Sequence, residues 1–173
     1  TESKAAVAGG VTSFMEMPNT NPPTFTQELL GEKYTIASRT SLANYSFYMG
    51  AANDNLEEVM KTDVTNVCGL KIFMGSSTGN LLVDDPITIE GFFSRFPSLI
   101  AAHCEDETTI RKNLAEFKER YGEDVPVECH PMIRSVEGCY LSSSRAVALA
   151  KKHGTRFHVL HISTEKETAL FDN

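Results

Sequence analysis

The sequence predicts a parallel α/β fold, read as a consecutive piece of a (β/α)8 barrel. Three observations lead there. Five short apolar runs alternate with helical segments, which requires crossover connections and a sheet covered on both faces. No glycine-rich dinucleotide fingerprint follows the first run, where PNTNPPT stands instead, so an open doubly wound sheet fits poorly. The chain opens inside a helix and stops just after a strand. Its ends therefore read as cuts through a larger domain, with residues 1–173 as one partial barrel domain.

Each element has a local reason. Residues 2–9 read as the end of a helix stopped by Gly9 and Gly10. Residues 11–17 read as a strand cut off by Pro18 and the turn-rich run to Pro23. A helix is expected over 24–38, a second strand over 44–50, and a helix over 53–61 with Asn53 as its N-cap. The third strand falls at 67–73, followed by a loop at 75–80 and a short helix at 86–96. The fourth strand falls at 98–104. Ile110, Leu114, Phe117 and Tyr121 then recur at offsets of 4, 3 and 4, one apolar helical face, ended by Gly122. After a turn-rich stretch at 123–131, Ser135 caps a long helix that Gly154 stops after His153. The fifth strand is expected at 156–162, and Ser163 opens a last helix.

Composition narrows the function. Apolar residues make up 41% of the chain, enough for a core, and 23% are charged, which excludes a disordered chain. The net charge is −7 and the basic residues are scattered, which argues against a nucleic-acid surface. No apolar run approaches the ~20 residues of a membrane helix, and no secretory leader is visible. Four cysteines form no C-x-x-C pair, so a zinc-ribbon reading fails, and reduced thiols of a cytoplasmic protein are expected.

Three chemistry-bearing residues fall at equivalent places. Lys71 in GLKIFMG, His103 in LIAAHCED and His161 in FHVLHIST each close a predicted strand. Parallel βα proteins place their chemistry at that end. Singly, a strand-end histidine is usually structural and a lysine usually a solvated charge; three at matching ends point to a metal site. The lysine would first have to become a carbamate, because an ammonium cannot bind a cation.

AGGVTSFMEMPNTNPPT, GLKIFMGSSTGN, AAHCEDE and HVLHIST, in this order, resemble dihydroorotase, a family of metal-dependent cyclic amidohydrolases with a (β/α)8 barrel. The likeness runs over essentially the whole chain, from the second barrel strand to about the sixth. MPNTNPPT is its most specific piece; relatives acting on hydantoins, dihydropyrimidines or allantoin generally differ at that turn. The resemblance implies that Lys71, as its carbamate, bridges two metals, usually zinc. It implies that His103 and His161 complete the more buried metal's shell, and that Asn19 holds the substrate carboxylate. Carbamate oxygen and imidazole nitrogen both suit Zn²⁺.

The family's H-x-H pair and following arginine on the first strand, and its aspartate on the eighth, have no counterpart here, so at most one metal's ligand set is complete. The implied reaction interconverts dihydroorotate and N-carbamoyl-L-aspartate in pyrimidine synthesis, in a cytoplasmic enzyme whose relatives are often homodimers. The sister readings are an allantoinase or hydantoinase, and a catalytically dead scaffold.

Other candidates carry blander readings. His158, three residues before His161, is expected on the opposite strand face. His130 sits in a loop that could reach the barrel mouth, Cys129 beside it is a candidate reactive or metal-binding thiol, and His153 suits a helix C-terminus. Glu105 and Asp106 read as helix-start residues, favoured there by the helix dipole. GSSTGN lacks the G-K-[ST] ending of a phosphate loop, and Ser142, Ser143 and Ser144 lie mid-helix without a paired base.

Overall fold

In the computed structural model, which describes residues 2–75, 77 and 79–171, a five-stranded sheet carries its strands in sequential order. The elements run α1 (Glu2–Ala8), β1 (Ser13–Glu16), α2 (Gln27–Thr40), β2 (Asn44–Gly50), α3 (Leu56–Val59), β3 (Gly69–Phe73), α4 (Pro86–Arg95) and β4 (Ile100–His103). They continue with α5 (Glu107–Tyr121), α6 (His130–Ile133), α7 (Val136–His153), β5 (Phe157–Val159) and α8 (Glu165–Thr168). Every neighbouring pair of strands is parallel. Sequential parallel order with a helix in each crossover is the arrangement of a barrel wall, so the fold is a partial (β/α)8 barrel.

The register sorts residues to the two sheet faces. Leu70 pairs with Ile100, and Ile72 with Ala102, which pairs in turn with Val159. These residues join Phe92, Phe93, Ala146 and Val147 in the main apolar cluster under the helices. Lys71 pairs with Ala101 and Phe73 with His103 on the other face, which would line a barrel's interior. Alternation with period two therefore separates a sealed apolar layer from the face that carries the chemistry.

Helix starts follow their caps. Thr26, Asp85, Asp106 and Ser135 each accept a backbone N–H of the first turn. Asn53 does not cap α3, as the sequence suggested. Its side chain instead accepts the N–H groups of Asp84 and Asp85, and α3 is a single turn. Asn55 takes the local role: its Oδ1 accepts from Ala52 N, while its Nδ2 donates to Phe25 O and Gly50 O. Residues 127–129 form a 3₁₀ turn that runs into α6, so the stretch between α5 and α7 is more helical than its turn-rich composition implied. The fifth strand is also shorter than expected, ending at Val159.

Two glycines permit close approaches that shape the C-terminal end of the sheet. At Gly50 a Cβ would lie 2.9 Å from both Pro18 Cβ and Thr24 O, so glycine lets the turn after β1 clamp onto β2. At Gly75 a Cβ would lie 2.3 Å from Glu105 O, so glycine lets the chain leaving β3 cross the backbone that follows β4. Residues 76 and 78 of the loop expected at 75–80 lie outside the described residues.

Candidate active site

His103 ends β4, and Met74 N bonds its carbonyl at 2.9 Å, which ties the ends of β3 and β4 together. Its Nδ1 faces His161 Nε2 at 3.0 Å, and the two ring centroids are 4.7 Å apart. His161 reaches that position by leaving the strand. Leu160 N bonds Ala102 O, and His161 then takes a φ of 40°, in the left-handed region that non-glycine residues seldom enter. Strand alternation therefore does not govern His161. His158, in register with Ala101, lies on the face that carries Lys71, so the expected opposition of His158 and His161 is corrected.

The other nitrogen of His103, Nε2, lies 2.6 Å from Glu105 Oε2, and the same oxygen accepts Arg134 Nη1 at 2.6 Å. A carboxylate only accepts, so Nε2 carries a proton and donates it to Glu105, and Nδ1 is the nitrogen left to face His161. Burial, and then the charge of neighbouring His103, lower the pKa of His161 from its ordinary value. Both effects favour the neutral imidazole that a metal requires.

Lys71 sits deeper, 2% exposed. Its Nζ lies 3.4 Å from the Phe73 ring centroid and donates to Ile72 O at 2.8 Å. Among the described residues no ion pair involves it, and burial lowers its pKa from 10.5 to about 7. A large fraction of the amine is therefore neutral near pH 7, which is the form that attacks CO₂. A cavity of about 430 Å³ opens beside the two histidines, lined also by Glu105, His130, Arg134 and Thr164. Lys71 and Asn19 are not among its lining residues, and Asn19 stands exposed in the turn after β1.

Among the described residues no three His, Cys, Asp or Glu side chains are grouped to hold a metal. The donor set on offer is two imidazoles and a lysine. Two nitrogens on one tetrahedral zinc, each ~2.0–2.1 Å from it, stand roughly 3.3 Å apart. The 3.0 Å between Nδ1 and Nε2 needs only a small opening to reach that spacing. The imidazole pair fits such an ion, and Lys71 would fit only after carboxylation.

The remaining candidates resolve as follows. Cys129 is buried in the turn before α6, and His130 is exposed at the cavity rim. His153 pairs with Glu90 at 3.0 Å. Ser143 donates to buried Glu167 at 2.5 Å, a packing role. Asp106, read from the sequence as a helix-start residue, caps α5, and Glu105 is more than a helix-start residue. Sequence reading missed its contact with His103 and passed over Arg134 altogether. The available signal was the His-x-Glu spacing.

A parallel barrel wall with opposed imidazoles and a buried lysine on neighbouring strands has the architecture of an amidohydrolase. The comparisons narrow this. Residues 1–168 match the family model described as "Dihydro-orotase-like", and the chain belongs to that family of cyclic amide hydrolases. It is 28% identical over 170 residues to a dihydroorotase of Methanosphaera stadtmanae, covering 98% of this chain and 38% of that one. It is 29% identical to an allantoinase of Deinococcus radiodurans, covering 98% and 39%. The solved L-hydantoinase (dihydropyrimidinase) of Arthrobacter aurescens superposes with a TM-score of 0.89 at 28% identity, covering 97% of this chain and 38% of that one. The chain thus spans less than two-fifths of the length of these relatives. Whole-chain similarity does not separate dihydroorotase from its sister enzymes, although the MPNTNPPT turn was expected to.

Proposed function

We propose that this chain supplies one metal's protein ligands to a zinc-dependent cyclic amide hydrolase that interconverts dihydroorotate and N-carbamoyl-L-aspartate. The observation that carries the reading is the pair His103 Nδ1 and His161 Nε2, opposed at 3.0 Å beside a buried lysine. Carboxylation of Lys71 joins Nζ to the carbon of CO₂ and releases a proton, turning an amine into an anionic oxygen donor. The metal, when bound, lowers the pKa of water and polarises the ring amide carbonyl. His103 Nδ1 and His161 Nε2 are the nitrogens that would hold the metal once the proton between them is displaced, and Asn19 is assigned to the substrate carboxylate. The catalytic aspartate, the H-x-H histidines and the substrate arginine are assigned to parts of the enzyme not represented in these 173 residues.

Hydantoin or allantoin is the second reading, favoured by the close superposition on an L-hydantoinase. The test compares dihydroorotate, hydantoin and allantoin as substrates of the full-length gene product in zinc at slightly alkaline pH. Dihydroorotate turnover well above the others is expected, with none from the 173-residue chain alone. Preference for another ring assigns the sister activity. Failure on all three, with metal bound, leaves a scaffold and overturns the enzyme reading.

A further inference from the structure

We propose that Glu105, held by Arg134, is a positioning residue that fixes the tautomer of His103 so that Nδ1 faces the metal. The proposal rests on the reading of His103 as a ligand, but its first measurement does not need metal. One carboxylate oxygen of Glu105, Oε2, accepts from both His103 Nε2 and Arg134 Nη1, each at 2.6 Å. Its side chain is only 10% exposed, so these charge-assisted bonds act with little competition from water. Without an acceptor on Nε2 the imidazole could put its proton on Nδ1 and donate to His161 Nε2, presenting the wrong nitrogen.

The backbone on both sides of Glu105 is fixed. Asp106 N bonds Gly138 O at the start of α7, and Gly75 packs directly on Glu105 O. Arg134 is fixed in turn by its place at the end of α6. Asn113 of α5 donates to Met132 O and Ile133 O, at 3.2 and 3.1 Å, and Arg134 N bonds His130 O at 2.9 Å. A segment far from β4 in sequence thereby reaches back to orient a strand-end imidazole. Such outer partners of metal-bound histidines set both tautomer and ring direction.

The experiment follows the His103 ring by ¹⁵N NMR in the metal-free full-length gene product, then titrates Co²⁺. Wild type is expected to carry its proton on Nε2. Glu105→Leu should give a mixed tautomer and weaken Co²⁺ binding by about 10–100-fold. Arg134→Met, at a half-exposed position that threatens folding less, should give a smaller loss in the same direction. Glu105→Gln keeps an acceptor oxygen and should hold the tautomer. If His103 retains the Nε2 proton in Glu105→Leu, or lacks it in wild type, the positioning role is wrong. If the tautomer behaves as stated while wild type binds no Co²⁺, the positioning stands and the metal reading fails.

Discussion

The two ends of the sheet carry the same trio of groups and use it differently. Near the N-terminal end, the Glu90 carboxylate takes Lys152 Nζ at 2.5 Å and His153 Nε2 at 3.0 Å. At the C-terminal end, the Glu105 carboxylate takes Arg134 and His103. The Glu90 side chain is 42% exposed and that of Glu105 is 10% exposed. His103 also offers its second nitrogen to His161, on the face that buries Lys71. A carboxylate bridging an imidazole and a cation is thus no site in itself. The site is made by desolvation, an opposed imidazole and a lysine on the neighbouring strand.

The largest expected effect separates these ends outright. Lys71→Met should remove hydrolysis in the full-length gene product by at least ~10³-fold, because several kcal/mol of metal-derived stabilisation goes with the ligand. His153→Gln at the other end should leave kcat/KM within error. Comparable losses from both would mean that the N-terminal trio contributes to activity through the fold, and the contrast would collapse.

The next effect is on stability, and its sign follows from burial. Lys71 is lowered from 10.5 to about 7 in the fold. Between those values the unfolded chain binds a proton that the folded chain does not, so stability rises with pH across that window. Below about pH 7 the buried ammonium exerts its full cost. The rise should be on the order of a few kcal/mol, measured by urea unfolding of metal-free, CO₂-free protein. Lys71→Met should flatten it. A flat wild-type curve would show that the amine stays charged in the fold.

A smaller change concerns the backbone at His161. A left-handed conformation costs an ordinary residue ~1–2 kcal/mol, and asparagine tolerates it better. His161→Asn should therefore keep or raise stability by up to ~1 kcal/mol while weakening Co²⁺ binding. Loss of both together would assign His161 to packing, since function and stability are expected to move in opposite directions there.

What the sequence disclosed, and what it hid, divides along the same line. The strands and the long helices were legible because apolar periodicity and caps such as Ser135 and Asp106 are local signals. His103 was legible as the strand-end residue it is, but Lys71, expected at a strand end, sits in the middle of β3, and His161 lies two residues past the end of β5. His158 was set on the wrong face by two-residue alternation counted back from His161, because the strand ends at Val159 and a positive φ redirects the chain at His161. Glu105 was read as a helix-start charge because its partner Arg134 lies 29 residues away, and only the packing of α6 against α5 brings them together. Asn53 was mistaken for a cap for a similar reason: its partners, Asp84 and Asp85, lie beyond β3.

The smallest effect expected is at Glu90, and it tests the comparison from its quiet side. Hydrogen bonds from Lys152, and then from His153, lower its pKa below the ordinary carboxylate range. Its contribution is therefore fully present above the unfolded-state pKa and is lost as pH falls through the folded value. An exposed pair is screened by solvent and salt, so Glu90→Gln should change the unfolding midpoint at neutral pH barely beyond error, and less still in high salt. The difference between wild type and variant should vanish in acid. Co²⁺ affinity and the His103 tautomer should not move at all, in contrast with Glu105→Leu. If Glu90→Gln shifts either readout, the two trios are coupled through β4 and α7, and the distinction between a structural end and a chemical end fails.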